Sequence, residues 1–70
     1  MTLRETIMKV IGKGTLTYRE ITDAINKERL YVPRDGMLVP QPQVRATIRE
    51  SNRFFEVDES TSPHEVRVHI

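Results

Sequence analysis

An α+β fold, three helices followed by a β-hairpin, is what the sequence predicts, and three observations predict it. Two Thr-x-x-Glu boxes, Thr2 with Glu5 and Thr17 with Glu20, each stand directly before an apolar stripe of helical period. A proline-led segment from Pro42 carries a third such stripe. After it the period changes from helical to alternating, as two short strands require.

The first box places a helix over residues 3–12. The Thr2 hydroxyl accepts from the amide three residues on, and the Glu5 carboxylate reaches back to the cap amide. Leu3, Ile7, Val10 and Ile11 then recur on one face, and Gly12-Lys13-Gly14 supplies the permissive backbone that stops the helix. Thr15-Leu16 is too short to stand as a strand alone but can pair with one placed elsewhere. The second box opens a helix over residues 18–29, with Ile21, Ala24 and Ile25 as its stripe.

Residues 30–41, LYVPRDGMLVPQ, hold two prolines and an Asp35-Gly36 turn signal, which makes them a loop or compact irregular hairpin. Leu30, Tyr31, Met37, Leu38 and Val39 are many apolar groups for so small a domain. Either they pack onto the core or they form a contact surface. Pro42 suits a first helical turn, where its missing amide has no partner to lose, so a third helix runs over residues 42–52. Val44, Thr47, Ile48 and Ser51 share one face. At about 100° per residue, Ala46, Arg49 and Arg53 fall opposite, with Arg45 and Asn52 on one flank and Gln43 and Glu50 on the other.

Strands over residues 54–58 and 66–70 close the chain as a hairpin joined by ESTSPHE. Phe55 and Val57 alternate with Glu56 and Asp58; Val66, Val68 and Ile70 alternate with Arg67 and His69. Helix, short strand, helix, helix, strand, strand is the order of a winged helix-turn-helix, here one domain over residues 1–70.

Composition narrows the function classes. A chain of 70 residues buries only about 60% of its unfolded surface, which leaves little room for an enclosed active site. Its 37% hydrophobic and 30% charged residues are those of a soluble domain, and no apolar run approaches the roughly 20 residues of a membrane span. There is no cysteine for a disulfide or a thiolate zinc site. The opening residues lack the apolar core and cleavage site of a secretory signal, so the expectation is a cytoplasmic protein. His64 and His69 have acidic neighbours, but a metal needs three or four converging ligands. Ser51, Ser60 and Ser62 lack triad partners, and no Gly-rich phosphate loop occurs. No enzyme activity, metal, cofactor or small-molecule substrate is expected.

Net charge is only +1, so its arrangement matters more than its sum. Residues 41–53 set Arg45, Arg49 and Arg53 against Glu50, whereas from residue 54 onward Glu56, Asp58, Glu59 and Glu65 oppose only Arg67. In a helix-turn-helix the later helix enters the major groove, where arginine pairs with guanine and glutamine or asparagine with adenine. Gln43, Arg45, Arg49, Asn52 and Arg53 supply those residue types. The start of the second helix, with Thr17, Tyr18 and Arg19, suits a phosphate through its free amides. Double-stranded DNA is the expected partner. An acidic wing opposes it, because a wing that reaches a phosphate chain normally carries lysine or arginine.

LTYREI from Leu16, PQVRATIRES from Pro42 and RFFEV from Arg53 together resemble the HARE-HTH domain. That winged helix occurs in proteins of DNA modification, restriction and chromatin and is related to the amino-terminal domain of the RNA polymerase delta subunit. The resemblance runs from Leu3 to Ile70. It implies that Leu3, Ile7, Ile21, Ile25, Val44, Ile48 and Phe55 are core positions and that the exposed residues of the third helix face DNA. The loop from Leu30 to Gln41 is longer and more apolar than the pattern, and the wing turn lacks the usual glycine. The polymerase relative makes a protein surface the alternative partner, met by Tyr31, Met37 and Leu38 with the acidic hairpin.

Overall fold

A computed structural model describes residues 2–69. Among them three helices and three strands follow in the expected order: α1 (Leu3–Ile11), β1 (Leu16–Thr17), α2 (Tyr18–Glu28), α3 (Gln41–Glu50), β2 (Phe55–Asp58) and β3 (Glu65–Val68). This is an α+β arrangement with the element order of a winged helix.

Both capping boxes form. Glu5 N donates to the Thr2 hydroxyl at 3.2 Å while Thr2 N donates to Glu5 Oε1 at 2.9 Å, and Thr17 and Glu20 repeat the pair at the same distances. Gly12 ends α1 with φ 59 and ψ −128, a conformation a side chain would oppose. Arg29 ends α2 in the left-handed region, φ 53 and ψ 40, and the next amide, Leu30, donates back to Ile25 O at 3.0 Å. That closure is a Schellman turn made without glycine.

α3 starts at Gln41, one residue earlier than the spacing predicts, and stops at Glu50, two residues sooner. Ser51 leaves helical geometry at φ −109 and ψ 37, and Phe54 N then donates to Ser51 O at 2.9 Å. Asn52 and Arg53 therefore lie in a turn beyond the helix. The hairpin is likewise shorter: β2 starts at Phe55 rather than 54, and β3 covers Glu65–Val68 rather than 66–70. The expected strand position of Ile70 lies outside the described residues. His69 N closes this end by donating to Phe54 O at 2.8 Å.

The sheet has three strands in the order β1-β3-β2, all antiparallel. Residues Leu16 and Thr17 pair with Val66 and Glu65, so the short step after α1 finds its partner in the last strand. Phe55 faces Val68 and Val57 faces Val66 across the hairpin. Those apolar positions point inward, and Glu56, Asp58, Glu65 and Arg67 share the other face. The helices close over the inner face. Ile7, Ile21, Ile25, Val44, Ile48 and Val66 are completely or almost completely buried, with Leu3, Ile11 and Phe55 beside them.

The apolar loop divides. Val39 is buried and joins the core cluster, and Tyr31 packs against it half-exposed. Val32, Met37 and Leu38 stay 50%, 66% and 58% exposed, and Leu30 is exposed as well. Asn26 accounts for the division. Its side chain accepts from Val39 N at 2.8 Å and donates to Val39 O at 2.9 Å, which fixes one loop residue as an extra strand would. Ahead of it, the chain turns from Pro33 to Gly36, with Gly36 at φ 74 and its amide on Pro33 O at 2.9 Å.

Candidate nucleic-acid interface

Val44 and Ile48 anchor α3 in the core, and this sets which of its residues reach solvent. Gln43, Arg45, Ala46, Arg49 and Glu50 are exposed on the helix, with Asn52 and Arg53 exposed in the turn beyond it. The expected basic face therefore exists, but its members are not equivalent.

Arg45, Arg49 and Asn52 come together on one side, along a cleft of about 260 Å3 between α3 and the hairpin. Half-buried Val57 lies at its base, over the buried Ile48 and Phe55. Tyr18, the first residue of α2, forms a wall, and Glu59 and His64 enter from the hairpin loop. The Arg45 guanidinium lies 5.4 Å from the centre of the Tyr18 ring. That distance is within the range of a cation–π contact, which holds a flexible cation over a rigid ring. Arg45 and Arg49 also border a shallower depression with Pro42 and Ala46.

The other sequence candidates stand apart from this cleft. Arg19 lies 3.9 Å from Asp23 one turn along α2, both largely exposed. Thr17 spends its hydroxyl on the capping box. Gln43 and Arg53 do not line the cleft, Gln43 lying near the start of α3 and Arg53 beyond its end. Close to Arg53, Arg4 of α1 sits 4.6 Å above the Phe54 ring and ties α1 to the turn after α3.

The acidic wing is partly balanced within itself. Arg67 donates to both carboxylate oxygens of Glu56, at 3.0 and 3.2 Å, and His69 Nδ1 is 3.8 Å from the same carboxylate. The Arg67 hydrogen bonds hold the Glu56 carboxyl below its ordinary value, and Glu56 in turn raises Arg67. Asp58 is also lowered, by accepting from the Ser60 hydroxyl and amide. Asp58 and Glu65 stand directly opposite each other across the strands, an unfavourable pairing of like charges. A concavity of about 420 Å3 on this face is lined by Glu56, Asp58, Glu59 and Glu65 with Arg67. Its charge repels phosphate.

The loop residues proposed as an alternative contact also separate. Met37 and Leu38 are open to solvent, whereas Tyr31 is half-buried against the core. Among the described residues no group of three His, Cys, Asp or Glu side chains is placed to hold a metal, and no helix is long and apolar enough to cross a membrane.

Three features escaped sequence reasoning: the Tyr18–Arg45 contact, the Asn26 clamp and the Arg4–Phe54 contact. Each joins residues distant in the chain, and no local spacing announces them. No protein-family model, curated protein or solved structure matches this chain, so the resemblance to the HARE-HTH domain rests on the residues quoted for it.

Proposed function

We propose that this protein is a DNA-binding winged-helix module that docks α3 in the major groove. The observation that carries the reading is the exposed cluster of Arg45, Arg49 and Asn52, with Arg45 held over Tyr18. Arginine and asparagine are the side chains that read guanine and adenine edges. Arg53 and Arg19 extend the positive surface toward the phosphates, and Gln43 is available at the start of α3. Taken with the resemblance to the HARE-HTH domain, this makes it a targeting or regulatory module of a DNA-modification, restriction or transcription system. The acidic outer face of the hairpin stays off the duplex.

Binding to random duplex DNA across a salt series tests the reading. Each phosphate contact contributes about −0.9 to the slope of log affinity against log salt. Three or four contacts give a slope of about −3 to −4, which the combined Arg45→Glu, Arg49→Glu, Arg53→Glu variant loses. Absence of binding at low salt by folded protein would refute it.

The exposure of Val32, Met37 and Leu38 favours a second reading, a protein-interaction module using the loop over residues 31–39 and the acidic hairpin. Under that reading, Leu38→Asp abolishes partner recovery and the arginine reversals leave it intact.

A further inference from the structure

We infer that the cleft between α3 and the hairpin receives one unpaired nucleobase, stacked on Arg45; this rests on the DNA-binding reading and names the structure in DNA that the site prefers. Three observations converge on it. The cleft holds about 260 Å3, below the ~300–1,000 Å3 of pockets for drug-sized ligands, which suits a single ring system. Half-buried Val57, above the buried Ile48 and Phe55, gives the base of the cleft an apolar element. The Arg45 guanidinium lies 5.4 Å from the centre of the Tyr18 ring. A base entering the cleft meets this cation and can stack on its guanidinium.

The polar groups at the rim complete the match. Asn52 offers both a donor and an acceptor to a base edge. Glu59 offers only acceptors, and a carboxylate in this position suits an exocyclic amino group such as that of cytosine. The acid is therefore a base-reading group at a site whose phosphates are met by Arg49 on the opposite rim. A wing carboxylate that is a liability against a phosphate chain becomes useful against a base edge. Tyr18, a wall of the cleft, also positions the Arg45 guanidinium at its mouth.

The test compares two duplexes of identical sequence, one perfect and one carrying a single unpaired cytosine, by fluorescence anisotropy with the full 70-residue chain. Stacking of one base on such a platform predicts binding of the unpaired-cytosine duplex that is tighter by about tenfold. Arg45→Lys keeps the charge and removes the planar stack. Because Arg45 is exposed, this variant preserves the fold. It should bring the two affinities together. A Glu59→Ala variant should reduce the preference for unpaired cytosine over unpaired thymine.

Equal affinity of the natural chain for both duplexes would overturn the inference and leave the DNA-binding reading in place. So would an Arg45→Lys variant that keeps the preference. Failure to bind either duplex at low salt would overturn both.

Discussion

Asn26 has the most consequential polar side chain in the core region, because it satisfies both backbone groups of Val39 at once. Val39 is buried, so water has little access to replace it. Asn26→Ala leaves a buried N–H and C=O unpaired, and each such orphan costs about 1–3 kcal/mol. The expected loss is about 2–4 kcal/mol in urea denaturation. A loss within the ±0.5 kcal/mol of an ordinary surface change would mean that the clamp contributes nothing. Asn26→Asp should recover little, since a carboxylate still accepts from Val39 N but has no proton for Val39 O. The contrast with the capping boxes shows what a sequence makes legible. Thr2–Glu5 and Thr17–Glu20 are complete within four residues, and their geometry follows from spacing alone. Asn26 meets a backbone 13 residues away, and nothing in its neighbours specifies that partner.

At the level of elements, helix starts were more legible than helix ends. Side-chain caps declare α1 and α2, whereas α3 has no side-chain cap and stops because Ser51 turns out of helical geometry. Ending there moves Asn52 and Arg53 off the helix, which is why Asn52 reaches the cleft and Arg53 does not. The hairpin strands were legible from alternation and the short edge strand from the two-residue step before α2, although two residues carry no period that could name their partner. In the hairpin, local bonding sets a pH dependence whose sign can be stated. Glu56 and Asp58 both titrate below their ordinary values of 4.5 and 3.8, through the Arg67 and Ser60 hydrogen bonds respectively. A carboxyl lowered in the folded state stabilises it fully above the unfolded value and stops doing so as pH falls through the folded one. Thermal stability should therefore hold near neutrality and decline below about pH 4.5, with a shallower acid limb in the Glu56→Gln, Asp58→Asn variant. Both residues are exposed, so the effect is small and is diminished by salt. An acid limb identical in the two proteins would assign the pH dependence to other groups.

Across the whole molecule, charge and apolar surface are segregated: arginine along α3, carboxylates on the outer sheet face, and Val32, Met37 and Leu38 on the loop. The basic face could be read from helical period because one helix carries most of it. The cleft could not, because its walls come from α2, α3 and the hairpin and exist only after packing. The core beneath these surfaces is small but tightly drawn. A radius of gyration of 11.2 Å equals the about 11 Å of a compact chain of this length. At roughly 0.05–0.15 kcal/mol per residue, total stability is about 3.5–10 kcal/mol. Ile7 lies in α1, which packs on α2, α3 and β3, and it has no exposed surface. Ile7→Ala therefore removes about 3 kcal/mol, a large part of that total, and should lower Tm by roughly 12–24 °C. Leu38→Asp makes the opposite change, placing a charge where an apolar group was, yet Leu38 is already 58% exposed. Its stability should stay within about 0.5 kcal/mol of the natural chain, which makes it a clean probe of the loop as a contact surface. If Ile7→Ala melted like the natural chain, or Leu38→Asp unfolded, the division of this small protein into one rigid core and a separate exposed loop would be wrong.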